Sequence, residues 1–137
     1  MTREHPLSHI LLIDDDPDFS AALSAQLRRA GHRITCAASC ADGLDALAAM
    51  ADEDRALDAV LVDMFMPEAD GFETIQALRG WGINAPVIAI SGGWSEKPDG
   101  VLTWARSLGA DASLSKPFEI DRLITLVDGM HGAAGAP

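Results

Sequence analysis

The chain has 137 residues, a length that fits one domain with a buried core rather than two domains. Its hydrophobic and charged fractions, 48% and 23%, are ordinary for a globular protein. No stretch approaches the roughly 20 apolar residues of a membrane span, so membrane insertion is not expected. The net charge of −11 disfavours direct binding to nucleic acid or to anionic lipid, because both attract basic surfaces.

The start of the chain and its cysteines indicate a cytoplasmic protein. The segment before Ser8 lacks the apolar core of a secretion signal. Cys36 and Cys40 have no nearby His or Cys that could complete a zinc site, so we expect two small buried thiols in a reducing compartment. We expect one domain over residues 1–131 and a disordered tail of small residues over 132–137.

The predicted elements begin with a short apolar strand over residues 9–13. A helix follows, with Asp16 as its N-cap, Pro17 at its first position and Gly31 as its stop. Its buried face is predicted from apolar residues at helical spacing: Phe19, Leu23, Leu27 and Ala30. A weaker strand over residues 33–37 comes next.

The rest of the chain repeats this alternation. The predicted elements are a helix over 39–50 with Leu44, Leu47 and Ala48 inward, a strand over 58–63, a helix over 71–79, a strand over 86–91, a helix near 100–108, a strand over 112–115 and a final helix carrying Ile120, Leu123, Ile124 and Val127. Alternation predicts an α/β domain with a parallel sheet, and the wholly apolar first, third and fourth strands predict a sheet covered on both faces. A doubly wound strand order of 2-1-3-4-5 would place the first and third strands side by side.

Polar side chains follow the carboxyl ends of four predicted strands. Three aspartates at 14–16 follow the first strand, Asp63 ends the third, Ser91 ends the fourth, and Lys116 follows the fifth. These ends share the sheet edge at which open parallel sheets hold their functional crevice. Carboxylates brought that close repel one another unless a cation lies among them. The sequence therefore predicts an oxygen-lined divalent-metal site beside Asp63.

These residue types suit phosphoryl transfer. Carboxylate oxygens are ligands that Mg²⁺ prefers, and an aspartate can attack phosphorus to become an aspartyl phosphate. Lys116 offers a positive charge, and Ser91 a hydroxyl, to phosphoryl oxygens. The remainder of such a transfer needs mainly positioning and charge stabilisation. Asp63 is therefore the candidate nucleophile.

Four stretches together resemble the receiver domain of bacterial two-component response regulators. They are residues 11–17, residues 61–67 with 70–73, residues 90–92, and residues 108–111 with 116–118. One such motif would be weak, whereas four in order and near the family's spacing are specific. The resemblance covers roughly residues 8–130 and implies a flavodoxin-like (βα)5 fold.

The resemblance also implies a magnesium site. Asp15 would bind Mg²⁺ directly, and Asp14 would assist, often through water. Asp63 and the backbone carbonyl of Phe65 would be further ligands. No other cofactor is implied.

For the phosphoryl group, the resemblance implies that Asp63 is the acceptor, that Ser91 moves toward the phosphoryl oxygens and that Lys116 pairs with them. It also suggests a cis peptide bond before Pro117. The donor would be a sensor histidine kinase or a histidine phosphotransfer domain. The chain would be a stand-alone switch that signals to a downstream protein by protein contacts, without direct nucleic acid binding. It would not be an enzyme beyond a weak autophosphatase activity.

Three positions depart from the family's usual pattern. Ser113 stands where an aromatic residue often reports phosphorylation, which puts the usual coupling in doubt. The spacing from Ser91 to Lys116 is longer than is common, and the surplus falls in the loop at 92–100. Phe65 is bulky where small or polar residues often tune dephosphorylation, so we hypothesise that it shields the acyl phosphate from water.

Two other functions compete with the switch. A small Mg²⁺-dependent phosphohydrolase with an aspartyl nucleophile would share the pattern of Asp14 and Asp16, but such enzymes usually carry a cap that this length leaves little room for. A flavodoxin-like cofactor binder would need a phosphate loop after the first strand, where three aspartates would repel phosphate.

Overall fold

In a computed structural model, described over residues 8–50, 56–64, 71–91 and 109–135, five strands form one parallel sheet. The elements are β1 His9–Ile13, α1 Pro17–Arg29, β2 Arg33–Ala37, α2 Cys40–Ala49, β3 Ala59–Asp63, α3 Gly71–Gly80, β4 Val87–Ser91, β5 Ala112–Ser115 and α4 Ile120–Gly135. The strand order is β2-β1-β3-β4-β5, which confirms the predicted 2-1-3-4-5 topology. The helix expected near 100–108 lies outside the described residues.

Local sequence signals set the ends of α1. Asp16 caps its start, and the carboxylate accepts hydrogen bonds from the backbone N–H groups of Asp18 and Phe19. At its end, Gly31 takes a φ of 95°, and the backbone N–H groups of Gly31 and His32 turn back onto carbonyls of the last turn. This is the Schellman arrangement, which needs a residue that tolerates positive φ.

The sheet is covered on both faces, as the apolar strands predicted. Every residue of β1, β3 and β4 is buried. Alternate side chains of these strands join two cores: one includes Leu47, Ile75 and Leu78 from α2 and α3, and the other includes Leu23, Leu27, Leu123 and Val127 from α1 and α4. Because successive strand residues point to opposite faces, a one-residue register shift would exchange the two cores.

Side chains tie the amino end of the sheet together. The backbone N–H of His9 donates to Asp58 Oδ2 at 2.7 Å. The Arg79 guanidinium donates to three carbonyls and, at 3.0 Å, to Asp111 Oδ2. The same Asp111 oxygen accepts the Val87 N–H at 2.8 Å, which fixes the approach to β5 on β4. Charged groups at this end are therefore used as ties between neighbouring segments.

Several packing predictions were wrong. Ala30 and Ala48 are exposed, and Gly43 is buried instead. A Cβ at Gly43 would lie 2.8 Å from Ile13 Cδ1, so α2 lies close on β1 through Gly43 and Leu47. The inward stripe of α2 is thus set by close approach rather than by apolar side chains alone.

The cysteines were also placed wrongly. Cys36 is exposed on the edge strand β2, and Cys40, the first residue of α2, is half-buried. Partial desolvation nevertheless raises the pKa of the Cys36 thiol, against a hydrogen bond with Ser24 and the charge of Arg28, which lower it.

The last helix also differs from expectation. Helix α4 continues to Gly135, into the segment that the sequence assigned to a tail from residue 132. Within the part of the chain that the structure describes, no helix has both the length and the apolar character needed to cross a membrane.

Candidate functional site

Three carboxylates meet at the carboxyl end of the sheet. Asp14 and Asp15 follow β1, and Asp63 ends the neighbouring strand β3. One oxygen from each carboxylate lies within 4.8 Å of the others. Asp14 and Asp63 are buried, with 2% and 6% of their surface exposed, whereas Asp15 is exposed. The pairing of β1 with β3 in the sheet brings Asp63 to the other two carboxylates, although it is far from them in sequence.

Asp14 is held by contacts on both of its oxygens. Asp14 Oδ1 accepts the backbone N–H of Asp16 at 2.9 Å, and the Asp14 N–H donates to the carbonyl of Ala37. Asp14 Oδ2 is 2.7 Å from Lys116 Nζ, an ion pair that does not meet the angular criteria of a hydrogen bond. A buried carboxylate that has charge contact but poor hydrogen-bond geometry retains capacity to bind a further cation.

Ser91 and Lys116 reach the same edge from β4 and β5. The Lys116 N–H donates to the Ser91 carbonyl at 2.8 Å, and Asp63 is in register with Ile90, next to Ser91. The Ser91 hydroxyl is fully buried and has no hydrogen-bond partner among the described residues. Burying an unpaired hydroxyl costs free energy, and a hydrogen bond that it makes in another state of the site would account for its position.

Gly71 closes the loop that follows Asp63. Its N–H donates to the Met64 carbonyl at 3.1 Å, and a Cβ there would lie 2.6 Å from Met64 Cα and 3.0 Å from the Asp63 carbonyl oxygen. Position 71 therefore requires glycine, because the start of α3 packs directly on the backbone beside Asp63.

An aromatic residue that sequence reasoning assigned only to the core also reaches the site. The centroid of the Phe19 ring lies 4.0 Å from Lys116 Nζ, and the Phe19 and Phe118 rings form an edge-to-face pair with their centroids 5.7 Å apart. Its position in the sequence could have indicated this, because Phe19 is in the first turn of the helix that starts beside the aspartates.

The donor set fits a small divalent cation. Three carboxylates this close repel one another, and a cation among them would relieve that repulsion. Hard oxygen ligands at such spacing suit Mg²⁺, with water completing its octahedron. Asp14, Asp15 and Asp63 would hold the ion. The expected ligand at Phe65, like the loop at 92–100, lies outside the described residues.

Comparison with known proteins identifies the family. The response regulator receiver domain family matches residues 10–128. The chain belongs to this family. Its members are signalling phosphoacceptor domains that generally bind Mg²⁺ in an acidic pocket and receive phosphoryl groups from histidine kinases.

Two relatives are transcriptional regulators. The transcriptional regulatory protein PrrA of Mycobacterium tuberculosis is 36% identical over 127 residues, which are 93% of this chain and 51% of PrrA. The transcriptional activator protein PfeR of Pseudomonas aeruginosa is 35% identical over 125 residues, 91% of this chain and 38% of PfeR. The chain thus spans about half the length, or less, of these relatives.

Solved structures share the fold. The receiver domain of Francisella response regulator 1452 gives a TM-score of 0.75 at 27% identity and covers 93% of this chain and 98% of its own. A two-component response regulator from Clostridium difficile gives a TM-score of 0.78 at 21% identity, with 94% and 99% covered, which shows the fold alone. The flavodoxin-like class expected from the sequence is confirmed.

Proposed function

We propose that this receiver domain, spanning residues 1–131 of a cytoplasmic protein, accepts a phosphoryl group on Asp63 in a Mg²⁺-dependent reaction. The donor is a sensor histidine kinase or a histidine phosphotransfer domain. The observation that carries the proposal is the buried Asp63 carboxylate within 4.8 Å of two others, beside a buried Ser91 hydroxyl. Lys116 enters the same cluster through its ion pair with Asp14.

In the proposed transfer, an Asp63 carboxylate oxygen attacks phosphorus as the nitrogen–phosphorus bond of the donor histidine breaks, and the imidazole leaves with the bonding electrons. Mg²⁺ held by the carboxylates would offset charge on the phosphoryl oxygens. Lys116, still beside Asp14, donates a hydrogen bond to one phosphoryl oxygen. The Ser91 hydroxyl donates a hydrogen bond to another, which supplies the acceptor that this group lacks among the described residues.

The output is proposed to be a change in protein contacts. Charge arriving at Asp63 shifts an equilibrium between two arrangements of the loops that follow β3 and β4. The altered contact surface includes β5 and α4, where a cavity of about 600 Å³ is lined, among the described residues, by Ser113, Arg122, Leu126 and Met130, together with others of α4. The net charge of −11 supports a protein partner over nucleic acid.

The test is incubation of the protein with a small acyl-phosphate donor and Mg²⁺, followed by intact-mass measurement. We expect a gain of one phosphoryl group that is lost on chelation and in Asp63→Asn. Asp58→Asn, the same change at the opposite end of the sheet, is the control and should still be labelled. A wild-type protein that stays unlabelled with every acyl and histidyl phosphodonor would contradict the proposal.

The phosphohydrolase alternative is tested with a small phosphomonoester as the substrate. Sustained turnover of a small phosphomonoester, dependent on Asp63, would favour that enzyme over a switch.

The shielding proposed for Phe65 is tested on the labelled protein, because Phe65→Asn should shorten the lifetime of the aspartyl phosphate. An unchanged lifetime would show that Phe65 does not shield it.

A further inference from the structure

We propose that Phe19 is a positioning residue for Lys116: its ring face fixes the lysine ammonium beside Asp14 before the phosphoryl group arrives. The inference rests on the proposed function of Asp63 and adds to it a residue that neither binds metal nor touches phosphorus. The Lys116–Asp14 contact and the ring contact share the same nitrogen atom.

The contacts on Lys116 Nζ leave the ammonium little freedom. Asp14 Oδ2 lies 2.7 Å away, and the Phe19 ring centroid lies 4.0 Å away. A cation over an aromatic face is attracted by the quadrupole of the ring, and the attraction grows as water is excluded. Here 18% of the Lys116 side chain is exposed and none of the Asp14 side chain is. The ring therefore acts on a largely desolvated charge.

Phe19 is itself held from two sides. Its backbone N–H donates to the Asp16 carboxylate at 3.2 Å, so the helix cap beside the metal ligands also places the residue that carries the ring. The Phe19 and Phe118 rings meet at an interplanar angle of 71°, the edge-to-face geometry that aromatic pairs favour. Phe118 lies two residues after Lys116, so one ring joins the start of α1 to the end of β5.

This arrangement assigns Phe19 an effect on rate. A lysine side chain has several rotatable bonds and loses much rotamer freedom when it is fixed. The ring face and the Asp14 carboxylate already restrict the Lys116 rotamers in the resting protein, so less conformational entropy is lost during transfer. An ammonium carries three N–H donors, and these two contacts still leave one for a phosphoryl oxygen.

The test compares Phe19→Leu, which keeps apolar bulk but removes the ring, with Phe19→Tyr, which keeps the face. The rate of Asp63 phosphorylation by a small acyl phosphate at saturating Mg²⁺ should fall about two- to thirtyfold in Phe19→Leu and stay within about twofold of wild type in Phe19→Tyr. Phe72→Leu is the control for general loss of packing, because Phe72 is, like Phe19, a half-buried aromatic residue, and it packs against the core on the other face of the sheet.

A second readout does not depend on activity. In the metal-free protein, the ε-methylene protons of Lys116 should show an upfield ring-current shift by NMR in wild type and Phe19→Tyr. They should return to ordinary lysine values in Phe19→Leu, while Phe72→Leu leaves them shifted.

The outcomes separate the two proposals. A wild-type protein that is labelled normally but shows no ring-current shift at Lys116, or a Phe19→Leu protein labelled at the wild-type rate, would overturn the role of Phe19. A slow Phe19→Leu protein matched by an equally slow Phe72→Leu would also overturn it, since lost packing would then explain both. If no donor labels the wild type, the function proposed for Asp63 fails, and the NMR shift still decides where Phe19 holds the ammonium.

Discussion

The two ends of the sheet use charged residues in opposite ways. At the amino end, Asp58 and Asp111 each accept a backbone N–H, and Asp111 also meets the Arg79 guanidinium. At the carboxyl end, roughly 16 Å away along a five-residue strand, the three carboxylates that could hold a metal ion lie close together. Acidic groups at one end act as ties, and at the other they are crowded together.

The acidic residues that stabilise the fold are therefore at the opposite end of the sheet from those proposed to take part in phosphoryl transfer. Groups whose hydrogen bonds are made in the resting protein stabilise it, whereas like charges and a buried hydroxyl without a partner cost free energy until a ligand arrives. The length of the strands keeps the two sets of residues apart, so neither set contacts the other directly.

The largest expected effect comes from removing charge at the crowded end. In metal-free protein, Asp63→Asn should raise the free energy of unfolding by roughly 1–4 kcal/mol, because it removes repulsion among carboxylates. Asp58→Asn should lower it by about 1 kcal/mol, because a charge-assisted hydrogen bond from the His9 N–H becomes a neutral one. Urea unfolding of both variants measures the comparison.

Magnesium should offset the higher stability that Asp63→Asn has over the wild type in the metal-free protein. At an ion concentration of about 100 times the dissociation constant, the wild type should gain about 2.7 kcal/mol, and Asp63→Asn should gain much less. If Asp63→Asn and Asp58→Asn shift stability in the same direction without metal, the contrast between the two ends is wrong.

A smaller change in the free energy of unfolding is expected at the amino end of the sheet. Asp111→Ala should destabilise the protein by about 1–2 kcal/mol, mostly because the Val87 N–H loses its acceptor, since the partly exposed ion pair with Arg79 is screened. Asp111→Asn keeps an acceptor oxygen and should lose about half as much. Magnesium affinity, measured by calorimetry, should be unchanged in both, and a large loss of affinity would show that the ends are coupled.

The smallest effect is expected from the buried hydroxyl. Ser91→Ala should not lower the free energy of unfolding and should raise it by at most about 1 kcal/mol, because it removes a buried hydroxyl that has no partner among the described residues. Ser39→Ala is the matched control and should cost about 1 kcal/mol, since Ser39 Oγ caps α2 by accepting the Asp42 N–H. Thermal unfolding would compare them, and an equal loss in both would mean that Ser91 already has a structural partner.

Much of this molecule could be predicted from local patterns. The apolar runs that end at Ile13 and Asp63, and the cap and stop at Asp16 and Gly31, gave α1 and the central strands to within a residue or two. Alternation of strands and helices predicted a parallel sheet, because parallel strands need crossover helices. The strand order 2-1-3-4-5 was the order expected of a doubly wound fold like that of receiver domains. The meeting of Asp14 with Asp63 then followed from that order.

Other features escaped because they depend on how closely elements approach. Cys36 was expected in the core but lies on an edge strand, and Ala48 was expected inward but is exposed. Apolarity gave no sign that Gly43 would face β1. The Phe19 ring fits the hydrophobic pattern of α1, and the pattern alone cannot show that its neighbour is an ammonium.

The sequence by itself determined the described strands and helices and the identity of the acidic residues that follow the strands, because periodicity and strand ends are properties of short stretches of chain. Only the tertiary structure decided which groups are tied and which are crowded. Those distinctions depend on distances between residues far apart in sequence, such as the 2.7 Å between Lys116 Nζ and Asp14 Oδ2. Packing of both cores sets such distances, and no local pattern encodes them.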